Sequence, residues 1–159
     1  MSEIETATFG AGCFWGVEAA FSRVKGVVST SVGYMGGHFE HPSYLDVLSR
    51  ITGHAEVVQV KYDPLVVSYQ TLLDIFWSIH DPTSLNRQGA DRGEQYRTVI
   101  FYYTPEQEHL ARQAKQKLER SGKYQKALAT QIQPALTYWL ATEEHQQYFE
   151  KKRHKPPLT

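Results

Sequence analysis

The chain has 159 residues, 41 % of them hydrophobic and 13 % aromatic, which suits one packed domain and argues against disorder. Lys plus Arg and Asp plus Glu each number 17, so the formal charge is zero and gives no electrostatic footing for nucleic acid or an anionic membrane. No apolar run approaches the roughly 18 residues of a membrane span, and Met1-Ser-Glu-Ile-Glu-Thr lacks the basic-then-apolar order of a secretory signal. One cysteine forms no internal disulfide, and the expectation is a cytoplasmic monomer.

Thr6 to Gly10 reads as a short strand, ended by the small residues Gly10, Ala11 and Gly12. From Cys13 the residues Phe14, Val17, Phe21 and Val24 recur at helical spacing until Gly26 stops them. Val27 to Tyr34 reads as the next strand, followed by a loop through Gly36, Gly37 and Pro42 and one or two helical turns over Tyr44 to Ser49. Glu56 to Tyr62 alternates with period two, and Asp63-Pro64 ends it. Ser68 caps a helix carrying Leu72, Leu73, Phe76 and Ile79 on one side.

The run from His80 to Arg97 is almost devoid of apolar residues and has no usable period. A loop of that length between a strong helix and a strong strand is read as a binding or catalytic wall. Thr98 to Tyr103 is a strand. Thr104-Pro105-Glu106-Gln107 then opens a helix, with proline at its first position and a capping-box glutamine, running to about Arg120 and stopping at Gly122. Ala129 to Gln133 reads as one more strand, and Glu143 to Lys152 as a last amphipathic helix before a mobile, basic tail from about residue 151. The order predicts an α+β fold: a ferredoxin-like split βαβ core (β-α-β-β-α-β) with a C-terminal helical and loop extension, all one catalytic domain over 1–159.

A lone intracellular cysteine is usually an inert core residue. Here Gly10-Ala11-Gly12 turns the backbone sharply and sets Cys13 at a helix N-terminus, where the free N–H groups and the helix dipole lower a thiol pKa. The expectation is therefore a thiolate.

Gly12-Cys13-Phe14-Trp15-Gly16 closely resembles the nucleophile motif of the methionine sulfoxide reductase A family. Gly33-Tyr34, Gly36-Gly37, Pro42-Ser43-Tyr44, Thr52-Gly53-His54-Ala55-Glu56, Tyr62-Asp63-Pro64, His80-Asp81-Pro82-Thr83, Asn86-Arg87-Gln88-Gly89 and Tyr96-Arg97 resemble the family's further blocks in its order. The resemblance implies reduction of the S epimer of methionine sulfoxide, peptide-bound and free, in the repair of oxidised proteins. Cys13 would attack the sulfoxide and become a sulfenic acid, while Phe14 and Trp15 line a slot for the methyl group. Glu56 would be the acid, its pKa raised by partial burial. Tyr44 and Tyr96 would hold the sulfoxide oxygen as neutral donors, and Asp91 would order water or polar groups near the pocket. No cofactor or metal is implied.

Many family members carry further C-terminal cysteines that resolve the sulfenic acid; this chain has none, and Leu48 stands where some relatives have another. An external thiol, from thioredoxin, glutaredoxin, glutathione or a second copy of the protein, is then required. His41, Arg50 and Glu94 are smaller departures near the pocket loops.

Three other readings remain open on the residues alone. Cys13 with His54 or His80 and Asp81 has the residue types of a thiol hydrolase. His38 and His41, or His54, Glu56 and Cys13, could hold a metal. A non-enzymatic binding module would use the polar loop as a partner surface.

Overall fold

The computed structural model describes residues 3–153. In chain order it contains β1 (Glu5–Ala11), α1 (Phe14–Ser22), β2 (Val27–Met35), α2 (Tyr44–Leu48), β3 (Ala55–Tyr62), α3 (Tyr69–Ser78), a small ribbon of β4 (Arg87–Gln88) and β5 (Asp91–Arg92), β6 (Thr98–Tyr102), α4 (Pro105–Arg120), β7 (Gln131–Pro134), β8 (Trp139–Leu140) and α5 (Tyr148–Arg153). Six strands share one sheet in the order β7-β6-β1-β3-β2-β8. β1 lies antiparallel between β3 and β6, and β3 antiparallel to β2. Those four strands with α1 and α3 are the split βαβ core of an α+β fold, as the element order predicted.

Period-two alternation sorts the strand residues between the two faces of the sheet. Ala7, Phe9 and Ala11 of β1 and Val58, Val60 and Tyr62 of β3 join the large core beneath the helices. Ala55 and Val57 go to a smaller cluster on the opposite face with Met35, Val99 and Phe101. Phe9 is fully buried and sits 5.1 Å from the Phe21 ring of α1 and 5.3 Å from the Phe76 ring of α3, tying both helices to the central strand. Burying one such side chain contributes roughly 1.5–3 kcal/mol, so this junction is a principal source of stability.

The predicted caps form. Ser68 Oγ accepts from Thr71 N, and Thr104 Oγ1 accepts from Gln107 N, with Pro105 opening α4. The Gln107 side chain departs from a capping box. Its carbonyl accepts from Tyr103 N, one residue before the cap, and its amide donates to Thr6 O, so it fastens α4 to β1. α4 then returns the chain to the sheet, where β7 pairs parallel with β6.

The C-terminal extension differs from expectation. β8, which the sequence does not announce, pairs with the edge of β2 at Gly33 and Tyr34. The single helix expected over Glu143 to Lys152 is broken into a 3₁₀ turn, Glu143–His145, and α5. Gln146 is the physical reason: its amide donates to Val32 O and Ala141 O and accepts from Val32 N, acting as a strand residue toward β2. Gln147 follows with φ +48°, which no α-helix continues through. Lys151–Arg153, the start of the expected tail, continue α5, with Lys151 Nζ bonded to Glu143 O, and the rest of that tail lies outside the described residues.

Candidate active site

β1 ends on the helix-facing side of the sheet, and Gly12, with φ +100°, turns the chain into α1. A Cβ at Gly12 would meet the Gln88 side chain at 3.0 Å, so the polar loop closes directly over this turn. Cys13 occupies the N-cap position, half-buried, with its side chain making no capping bond.

The thiol is the clearest correction to the sequence reading. Burial pushes its pKa up to about 11 despite the Trp15 and Gly16 N–H groups, which pull the other way; negative charge on Glu56 and Asp91 adds to the rise. The helix N-terminus is present, but loss of water outweighs it, and at neutral pH the free protein holds a thiol rather than a thiolate.

Glu56 stands on β3 in phase with Val58, Val60 and Tyr62, so alternation aims it under α1. Its Oε1 accepts from Phe14 N at 3.1 Å, while buried Oε2 has no hydrogen-bond partner among the described residues. Burial raises its pKa to about 8, partly offset by the Phe14 N–H and reinforced by Asp91. The predicted direction of this shift therefore holds, for the predicted reason.

Phe14 is fully buried, with Tyr34 5.6 Å, His145 5.6 Å and Tyr44 6.3 Å from its ring. Trp15 stacks on Tyr148 at 3.9 Å and lies 6.2 Å from Tyr44. Tyr44 opens α2, whose first turn is fixed by a Ser43–Asp46 capping box. Tyr96 closes the 3₁₀ turn Glu94–Tyr96, and burial and the charge on Glu56 hold its pKa up at about 12. Asp91 is exposed on β5, and its charge acts on Cys13, Glu56, Tyr44 and Tyr96 alike. The residues singled out in the sequence thus converge on one site: a thiol, a protonated carboxyl and two neutral phenols beside an aromatic wall.

The polar loop is ordered by its own bonds. Gln88 Nε2 donates to Asp81 O and Gln88 Oε1 accepts from Asp81 N, while Thr83 N and Oγ1 both bond Asp81 Oδ1. Arg50, at φ +66°, donates to Arg92 O and ties the end of α2 to the ribbon.

Three aromatic residues beside the site were given no role from the sequence: Tyr34, which lies in the Gly33-Tyr34 block, and His145 and Tyr148. Tyr34 is buried, and its hydroxyl has no partner among the described residues. Its phase with Val32 on β2 was a usable signal. His145 and Tyr148 come from the extension, where the amphipathic helix expected over Glu143 to Lys152 is broken and its period does not say which residues face the site.

The hydrolase alternative loses its base. His54 Nδ1 accepts from Gly37 N and its Nε2 bonds Phe39 O; His80 Nδ1 bonds Phe76 O and its Nε2 bonds Thr98 Oγ1. Both rings are committed on both sides. Among the described residues no three His, Cys, Asp or Glu side chains gather to hold a metal ion, and no helix is long and apolar enough to cross a membrane.

Against known proteins, the profile of the family described as "Peptide methionine sulfoxide reductase" matches residues 5–157. The Nostoc sp. protein "Peptide methionine sulfoxide reductase MsrA 1" is 67 % identical, over 94 % of this chain and 91 % of its own. Among solved structures, "Methionine sulfoxide reductase A of Corynebacterium diphtheriae" superposes with TM-score 0.83 at 36 % identity, over 97 % of this chain and 77 % of that one. Reduced Mxr1 from Saccharomyces cerevisiae superposes with TM-score 0.86 at 33 % identity, over 98 % of this chain and 89 % of that one, and the same yeast protein in complex with Trx2 with TM-score 0.62 at 26 % identity over 92 % and 85 %.

Proposed function

Because the chain belongs to the peptide methionine sulfoxide reductase A family, and is therefore an oxidoreductase that reduces methionine sulfoxide in protein repair, we propose that it acts on the S epimer, peptide-bound or free, through a sulfenic acid on Cys13. The observation that carries this reading is the juxtaposition of the lone thiol with a carboxyl that keeps its proton up to about pH 8.

The resting site already holds the hydrogens the reaction needs. Sγ attacks the sulfoxide sulfur while Glu56 gives its proton to the oxygen, and the thiol proton restores the carboxyl. The oxygen then passes to Sγ: the substrate S–O bond and the Sγ–S bond made in the attack both break, an Sγ–OH bond forms, two electrons move from the cysteine sulfur to the substrate sulfur, and methionine leaves. Tyr44 and Tyr96, neutral donors throughout the working pH range, hold the oxygen; Phe14 and Trp15 take the methyl group. A fixed slot and a fixed oxygen site together select one epimer. Asp91 orders water at the mouth and helps keep Glu56 protonated.

No second cysteine exists to resolve the product, so a partner thiol condenses with the sulfenic acid, releasing water and leaving a mixed disulfide that a second thiol reduces. The yeast neighbour's complex with Trx2 supports a thioredoxin in this role; glutathione and glutaredoxin are the alternatives. The whole chain serves as one catalytic domain.

The test is single-turnover reduction of each pure epimer of a methionine sulfoxide peptide without added thiol. One equivalent of methionine from the S epimer, none from the R epimer, and none from Cys13→Ser are expected. Turnover by Cys13→Ser, or equal use of both epimers, would refute the scheme.

A further inference from the structure

We propose that His145 positions the Trp15 indole and thereby sets the width of the methyl slot, an inference that rests on the slot assignment above. The Trp15 indole N–H donates to His145 Nδ1 at 3.1 Å. An indole nitrogen only donates, so Nδ1 is the unprotonated acceptor and the ring proton sits on Nε2. The imidazole is buried, 6 % exposed, and lies 4.4 Å from the Tyr44 ring, 5.6 Å from Phe14 and 5.7 Å from Trp15. It therefore touches both aromatic walls and the phenol assigned to the oxygen.

Packing alone does not hold the indole in place. Tyr148 stacks on it with planes 10° apart, a contact that fixes the plane and permits sliding within it. A cavity of about 260 Å³ lined by Trp15, Ala19 and Tyr148 opens beside it, so there is room to move. The directional N–H···N bond removes that freedom. His145 is itself held by the two residues that follow it. Gln146 bonds the backbone of Val32 and Ala141, and Gln147 N and Nε2 both donate to the buried Glu18 carboxylate, which also accepts from Thr30 Oγ1. The position of the slot wall on α1 is thus referred to β2 through the C-terminal extension.

A slot that discriminates by one methylene separates methyl from ethyl by about 10–200-fold in kcat/KM. The experiment compares S-epimer methionine sulfoxide with S-epimer ethionine sulfoxide, both as N-acetyl amides, in wild type, His145→Phe and His145→Asn. Phenylalanine keeps the ring and removes the acceptor, whereas the asparagine side-chain oxygen replaces Nδ1. The methyl-to-ethyl ratio is expected to fall about tenfold in His145→Phe, chiefly through KM, and to recover in His145→Asn. In a Trp15→Phe background, His145→Phe should change the ratio no further. A ratio within threefold of wild type in His145→Phe, an equal loss in His145→Asn, or an undiminished effect without Trp15 would each overturn the proposal. A general loss of folding lowers both substrates together, leaves the ratio unmoved and also counts against it. If wild type itself fails to distinguish the two substrates, the slot assignment falls first and takes this inference with it.

Discussion

The central sheet and the C-terminal extension hold their parts of the site by opposite means. Around β1 and β3, side-chain alternation and ring stacking do the work: Phe9 locks α1 and α3 to the sheet, and Glu56 faces inward because Val58, Val60 and Tyr62 do. From Trp139 onward there is little apolar periodicity, and the chain is pinned by polar side chains, chiefly Gln146 and Gln147, onto β2 and Glu18. A core tolerates no loss of volume, while a polar clamp tolerates no loss of a partner. The reacting groups sit on the first kind of support, and part of the substrate wall on the second.

The largest expected effect falls on rate. Glu56→Gln should slow reduction by about 10²–10⁴-fold, the range for a general acid, with kcat/KM of the wild type declining above about pH 8 as the carboxyl ionises. Stability declines with rising pH as well. The folded carboxyl, at about 8, lies above its ordinary 4.5, so the folded protein keeps a proton that the unfolded chain releases. Its stabilising contribution is complete below pH 4.5 and is lost as pH rises through about 8; Glu56→Gln should flatten that decline in urea unfolding measured from pH 5 to 8.5. A slope equal to wild type would show that Glu56 is not the buried acid.

Next comes the core. Phe9→Ala should cost about 3–5 kcal/mol, read as a shift in the urea midpoint, and should loosen sheet and extension together. Gln146→Ala should cost less, about 1–3 kcal/mol, because it leaves the Val32 N–H and the Ala141 carbonyl without partners, while Val32 O keeps the Ala141 N–H. Its signature is local: amide exchange over residues 139–153 should accelerate well before that of β1 and β3. Equal acceleration in both regions would erase the distinction drawn between them.

The same contrast explains what could be read from sequence. The strands and helices of the core, the Ser68 and Thr104 caps and the inward face of Glu56 all follow from local period and local hydrogen-bonding chemistry. β8 is two residues long and exists through its partner Gly33, where a Cβ would strike Trp139 O and the Tyr138 ring. Gln146 reads as an ordinary helix residue until β2 lies beside it, so a continuous helix was the natural expectation. His145 carried no local signal at all. The thiol failed differently: the helix terminus was foreseen correctly, but the degree of burial that overrides it is a property of the assembled fold.

The Phe14 N–H to Glu56 bond joins the carboxyl to the residue directly after the cysteine, and ionised Glu56 raises the thiol further. The two acidic hydrogens are consequently not independent. Once one anion has formed in this dry corner, Coulombic repulsion postpones the second. Carboxylate-with-thiol and carboxylic-acid-with-thiolate differ only in which atom lost the hydrogen, so a substrate that draws the proton across exchanges one for the other without taking up or releasing an ion from the solvent.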